Sequence, residues 1–450
     1  MVPVVIAKPK TDPQIGASTP PRSVGFGTAT AIVVANIIGT GVFTSLGFQL
    51  AEIQSGFALL LLWVVGGVVA VCGALCYGEL SAALPRSGGE YHFLSAIYHP
   101  AVGFMAGFIS ATVGFAAPIA LAAMAFAKYF EGIFGIHSPL LLSFVVVWLI
   151  AAVHMGGLKP GAAFQNVSTL MKLLVIAVLI VAGFLLKSNE PIQFRPAAGD
   201  GSIVFGPAFA VALVYVMYSY SGWNAAAYIA GEIKKPERNI PRALLCGTVL
   251  VIIIYTALNA VFLSSTPVSE LRGQLEVGLI AGTHVFGEKG GKVVGAIICL
   301  GLLSAISSMT WIGPRVTMAM GEDHWLLRFL GGKNSRGIPL NAILLQMVIV
   351  SLLLLTRSFE QVVIYIQFSL LLCSLLTVVG VMVLRRKRPD LPRPYRVWAY
   401  PLPVLLFAII TVWMMIYLLY SHPKESLGGF ATMLLGLILY LCAERKPLFR

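Results

Sequence analysis

Twelve apolar stretches dominate this sequence, at approximately 24–50, 56–79, 97–130, 140–157, 163–186, 206–231, 242–264, 290–320, 339–356, 360–384, 402–420 and 427–443. Each meets or approaches the ~20 residues that a helix needs to cross a bilayer. Backbone in lipid must satisfy its hydrogen bonds within the segment, so the pattern specifies an all-α integral membrane protein with twelve transmembrane helices. Composition agrees. Only 11% of the 450 residues are charged and 58% are apolar, whereas a soluble domain is about one quarter charged. That excludes a soluble enzyme, a disordered chain and a nucleic-acid binder. The net charge of +13 is read instead as basic loops gathered on one side of a membrane.

The direction of the spans follows from those basic residues. With both ends on one side, 22 of the 31 Lys and Arg fall on that side and 8 on the other, Lys172 lying within span five. This bias places both termini in the cytoplasm of a cell membrane, plasma or inner. Residues 1–23 are polar and Pro-rich and read as a cytoplasmic tail without a cleavable leader. Residues 24–443 form one transmembrane domain, and 444–450 a second short tail. The outer connections at about 187–205 and 265–289 read as short, mixed loops. The cysteines (Cys72, Cys76, Cys246, Cys299, Cys373, Cys442) lie mostly in apolar stretches and read as small buried hydrophobes, not a disulfide framework.

Two spans carry residues that break a helix in mid-membrane. Span one reads Ala35-Asn36-Ile37-Ile38-Gly39-Thr40-Gly41-Val42-Phe43, with two glycines around a threonine. Span six reads Tyr218-Ser219-Tyr220-Ser221-Gly222-Trp223-Asn224. Taken singly, the first could be a close-packing face and the second an interfacial aromatic belt. Together they open the first and the second group of five spans. A break at corresponding places in two halves points to a five-plus-five inverted repeat, about 24–186 and 206–384, with helices 1 and 6 discontinuous and spans 11 and 12 (402–443) outside the repeat.

A broken helix offers a positive N-terminal end and free carbonyls at its C-terminal end. The first suits a carboxylate and the second an ammonium, which together match a zwitterionic amino acid. All 18 Asp and Glu fall outside the middle of the spans, which favours a neutral side chain over a cationic or polyamine substrate. Lys172 lies inside span five. It either snorkels to the surface or places its ammonium where a sodium ion would sit, among span-one carbonyls and the hydroxyls of Ser304, Ser307 and Ser308. A buried lysine also leaves proton symport open. The seven histidines are dispersed without metal-like spacing, so no catalytic residue, metal or cofactor is expected. No repeated pore signature marks a channel.

The stretch Ile37–Phe43 resembles the first-span signature of the amino acid–polyamine–organocation superfamily. Tyr218–Asn224 with Glu232–Arg242 resembles span six and the following loop of its L-type amino acid transporter branch. Pro85–Tyr91 and Arg393–Pro401 resemble the segments before spans 3 and 11. The resemblance covers nearly the whole chain in order. It implies a leucine-transporter-like fold and a sodium-independent exchanger of neutral L-amino acids working by alternating access. By the same resemblance, the carboxylate sits on Thr40 and Gly41, with Gly39 allowing close approach. The ammonium meets carbonyls of Ile37, Tyr218 and Ser221, Tyr218 serves as outer gate, Ser219, Gly222 and Asn224 complete the site, and Lys172 replaces sodium. Animal members of the branch pair with a glycoprotein through a cysteine after span 3. Residues 131–139 hold none, so no disulfide-linked heavy chain is expected, and the chain is read as a monomer or weak homo-oligomer. Ala225, Ala226 and Ala227 leave a roomy pocket.

Overall fold

The computed structural model describes residues 24–85, 88–156, 162–185, 193–335 and 337–444. The two terminal tails, Arg86 and Lys159 lie outside these residues. Among those described, the chain is helical, with no strand beyond an isolated bridge between Val24 and Ile233.

In chain order the helices are α1 (Phe26–Ile37), α2 (Ser45–Glu52), α3 (Gly56–Ala83), α4 (Gly89–Ile97), α5 (Pro100–Ile109), α6 (Ala116–Phe134), α7 (Pro139–Met155), α8 (Ala162–Leu185), α9 (Asp200–Val204), α10 (Pro207–Ser219), α11 (Ala225–Tyr228), α12 (Pro236–Ser265), α13 (Val268–Leu271), α14 (Val277–Asp323), α15 (Leu340–Leu355), α16 (Phe359–Lys387), α17 (Leu402–Ser421) and α18 (Pro423–Glu444). Among the described residues, eight helical stretches are long and apolar enough to cross a membrane, α5 and α6 counting together as one; α1, α7, α10 and α15 are shorter apolar helices. A π turn at Ser110–Gly114 joins α5 to α6.

Local chemistry sets the ends. Pro100, Pro139, Pro207 and Pro236 sit in first turns, where the missing N–H costs no bond. Ser55 caps α3 by accepting the Ala58 N–H, and Gly135 closes α6 in the left-handed region. Two sequence expectations change here. The connection 265–289 is largely helical: it holds α13 and the first limb of α14, which turns at Gly287 with φ +74. Cys246 and Cys442 are exposed, because each lies on a helix face turned away from the bundle, while the other four cysteines are buried as expected.

The core centres on α3, α12, α6 and α14. The α3 helix packs along α12, and α6 along α14. Other pairings come in matched sets: α1 with α12 and α10 with α3; α6 with α7 and α14 with α15; α8 with α14 and α16 with α6; α8 with α12 and α16 with α3; α7 with α14 and α15 with α6. Helix α17 lies against α3, α10 and α16, and α18 against α5 and α16.

Candidate functional site

Both sequence-flagged stretches are breaks in the helices. The α1 helix stops at Ile37, and the chain passes through Ile38–Thr40 and a single tight turn, Gly41–Phe43, before α2 begins. The α10 helix stops at Ser219, and Tyr220–Asn224 lead into the short α11. The two breaks cross. A Cβ on Gly41 would lie 2.5 Å from Ser219 Cα, and one on Gly222 would lie 2.8 Å from the Asn36 carbonyl oxygen. Gly222 also holds φ +99, which a side chain resists. Each glycine therefore lets one broken segment touch the backbone of the other. Gly39 differs: an added Cβ there would meet nothing nearer than Ile37 O at 3.9 Å, leaving space beside the backbone.

Hydroxyls fasten the crossing. The Ser45 and Ser219 hydroxyls lie 2.9 Å apart and 3.2 and 2.9 Å from the Tyr215 carbonyl, so one can donate to that carbonyl while the other donates to its neighbour's hydroxyl. The Tyr255 hydroxyl, buried on α12, lies 2.7 Å from Ile37 O and 3.2 Å from Ser219 O and so bridges the two breaks. Ile37 O also accepts the Gly39 N–H at 2.7 Å. Both its lone pairs are thus engaged, and in this arrangement it has none left for a substrate ammonium. The Tyr218 carbonyl accepts the Ser221 N–H, and the Ser221 hydroxyl donates to Met217 O at 3.3 Å. Asn224 leads into α11 beside Tyr228. Thr40, Tyr218 and Ser219 are buried.

Lys172 is buried on α8 and donates to Ile38 O at 3.0 Å. Its stem runs over Gly301 of α14, where a Cβ would come within 2.6 Å of it. The ammonium therefore ties α8 to the end of α1, and it does not snorkel. Of the three serines on α14, Ser304 and Ser307 are buried. Ser307 pairs with His154 of α7 at 3.0 Å, so this hydroxyl is bound to a histidine that the sequence placed only at a helix end.

Different contacts join the helices at the two ends of the bundle. At the end away from the basic loops, Phe48 stacks on Tyr215 and Phe359 with centroids 5.3 and 5.7 Å apart, and Tyr218 meets Phe359 edge-on. Tyr215 donates to Glu360 at 2.8 Å. The following loop holds α2 down, with Gly273 N donating to Gly47 O and Arg272 to Ala51 O, both at 2.8 Å. At the basic end, buried Glu79 of α3 receives two bonds from Arg385 of α16, at 2.8 and 2.6 Å, and one from the Val397 N–H at 2.7 Å. The Lys234 N–H donates to Val24 O at 2.9 Å and the Val24 N–H to Glu232 O at 3.1 Å.

Three members of this site were not singled out in the sequence. Tyr255 reads there as one aromatic in an apolar run, Glu360 as a span-end acid, and His154 as a helix end. No local signal marks their partners, which come from other helices. Among the described residues no group of His, Cys, Asp and Glu could hold a metal ion.

Residues 24–441 match the amino acid permease family. The chain is similar to the large neutral amino acids transporter small subunit 2 of Homo sapiens, with 28% identity over 440 residues, 95% of this chain and 82% of that protein. It is also similar to the b(0,+)-type amino acid transporter 1 of Rattus norvegicus, with 27% identity over 427 residues, 93% of this chain and 87% of that one.

Proposed function

The chain belongs to the amino acid permease family, a family of membrane transporters and not of enzymes, and we propose that within it the protein is a sodium-independent exchanger of neutral L-amino acids. One observation carries the reading. Among the described residues no Asp or Glu side chain bonds to the crossed breaks themselves, Glu360 binding Tyr215 at the end away from the basic loops, and the Lys172 ammonium is bonded to Ile38 O at the end of α1. A zwitterion fits such a place: its carboxylate faces the leading N–H groups of the Thr40–Gly41 turn, and its ammonium faces carbonyls of the α10 break. Gly39 leaves room for the approach. Lys172 supplies a fixed positive charge where a coupling sodium would otherwise be needed. The relatives' names, which include large neutral amino acids, favour the same class.

The architecture proposed for this task is twelve spans in a five-plus-five repeat. Spans 1 to 5 are α1 with α2, α3, α5 with α6, α7 and α8; spans 6 to 10 are α10 with α11, α12, α14, α15 and α16. Exchanging the two sets maps each matched pairing of the fold onto its partner and leaves the α3–α12 and α6–α14 contacts in place. That correspondence supports the repeat reading. Both breaks then line one midplane site. Rocking of spans 1, 2, 6 and 7 about it would open the two ends in turn, with Tyr218 in the outer gate. The basic end is cytoplasmic by the positive-inside bias, in a plasma or inner membrane. The cysteine-free loop at 131–139 supports assembly without a disulfide-linked partner.

The test is equilibrium binding of a radiolabelled neutral amino acid to purified protein in sodium-free buffer, competed by leucine, arginine and a polyamine. Leucine-like competitors should displace the label and sodium should leave the affinity unchanged. Displacement only by arginine or polyamine would overturn the substrate class.

A further inference from the structure

Glu90 has no part in the site described above, yet it is one of the most enclosed acids in the chain, 3% exposed at the start of α4. It sits on the basic side of the α10 break, where three transmembrane elements converge on it. From α3, the Tyr77 hydroxyl donates to Glu90 Oε1. From α16, the Ser374 hydroxyl donates to the same oxygen at 3.0 Å. From α11, the inner piece of the broken span, Tyr228 lies against the turn that carries Glu90. Gly88 and Gly89 hold φ +129 and +53, and a Cβ on Gly89 would come 2.3 Å from the Tyr228 ring. Tyr77 in turn packs edge-on against Trp223 of the α10 break, with centroids 4.7 Å apart.

The ionisable groups facing Glu90 are Tyr77 from α3, Tyr228 from α11 and Cys373 from α16. None is a cation, and among the described residues no Lys, Arg or His forms an ion pair with it. Glu79, on the same α3 helix, is by contrast neutralised by Arg385. A carboxylate enclosed without a counter-charge is costly, and the ordinary escape is to hold a proton.

We propose that Glu90 is a proton-binding site at the cytoplasmic gate, whose protonated form keeps spans 2, 6 and 10 joined and whose ionised form favours their separation. This rests on the transport reading above. Enclosure pushes the Glu90 carboxyl above the usual carboxylate range, the Tyr77 and Ser374 hydroxyls offsetting this only in part. In the open gate, with water around it, its pKa falls back towards the ordinary value. The closed gate is therefore favoured at low internal pH and loses that advantage as pH rises through the closed-state pKa. The proton acts here as a ligand of the closed gate, and it is separate from any charge change at Lys172.

The experiment measures neutral amino acid exchange in proteoliposomes whose internal pH is varied at fixed external pH. Wild-type exchange should slow on internal acidification, by up to about tenfold per pH unit below the Glu90 pKa. The Glu90→Gln variant cannot ionise and should run at the slow acidic rate at every internal pH. Ser374→Ala removes a bond that stabilises the ionised form, so it should keep the titration and move its midpoint to higher pH. Infrared titration of purified protein should show a carboxylic acid band that is absent in Glu90→Gln. A wild-type pH profile retained in Glu90→Gln, or no such band, would overturn the proposal. If wild type exchanges no amino acid, the transport reading fails while the infrared band still decides whether Glu90 holds a proton.

Discussion

Two glycines in the candidate site should respond to one added methyl group in opposite ways. At Gly222, alanine would be forced into a left-handed conformation, which costs an L-residue about 1–2 kcal/mol. Its Cβ would also lie 2.8 and 2.9 Å from the Asn36 carbonyl oxygen and carbon. Those are backbone atoms that cannot rotate aside, and such overpacking adds about 1–3 kcal/mol. Gly222→Ala should therefore lose about 2–5 kcal/mol of stability. At Gly39 the nearest obstacle is 3.9 Å away and φ is not left-handed. Gly39→Ala should change stability by less than about 1 kcal/mol. Its methyl, however, occupies the space assigned to the substrate, so substrate affinity should fall by about tenfold or more, the equivalent of about 1.4 kcal/mol. Thermal unfolding in detergent reads the first quantity and saturation binding the second. A Gly39→Ala protein that is folded and binds substrate as wild type does would refute the placement of the substrate. A Gly222→Ala protein of unchanged stability would refute the crossing of the two breaks.

The remaining expectations follow from single contacts. Tyr255→Phe removes the donor shared by Ile37 O and Ser219 O; it should cost about 1–3 kcal/mol, read as a lowered unfolding midpoint, with exchange slowed because the two breaks are uncoupled. Arg385→Ala leaves buried Glu79 with Arg393 at 3.7 Å as its nearest cation; it should destabilise by about 3 kcal/mol, and an unchanged midpoint would show that the clamp carries no weight. Lys172→Met keeps a stem of similar length over Gly301 but loses the bond to Ile38 O, worth about 1.5–3 kcal/mol. Exchange should drop about tenfold or more while the protein still purifies folded, and wild-type exchange rates in this variant would remove Lys172 from the mechanism.

What was legible in the sequence, and what was not, follows a physical division. The breaks at Gly39–Gly41 and Ser219–Asn224 could be read because glycine and hydroxyl residues stand out in an apolar run, and the run itself sets their depth. The helical content followed for the same reason. The limits of α14 did not: residues 277–286 carry His284 and Glu288 lies just beyond them, and that polarity hid a helix that turns only at Gly287. Partners were also hidden. Counting acids along the chain put Glu90 in a loop, although α3, α11 and α16 enclose it. Tyr255 looked like any packing aromatic because its acceptors, Ile37 O and Ser219 O, are backbone atoms of distant segments. Lys172 could be flagged by its cost in lipid, but its acceptor at Ile38 depended on where α1 ends.

The central claim is exchange of neutral amino acids without sodium. It is tested most directly by uptake of a radiolabelled neutral amino acid into proteoliposomes, loaded or unloaded with the same amino acid, with external sodium or choline. The account predicts uptake into loaded vesicles only, at equal rates in the two salts. Uptake that stops when choline replaces sodium, or no uptake of any neutral amino acid into loaded vesicles, would contradict it.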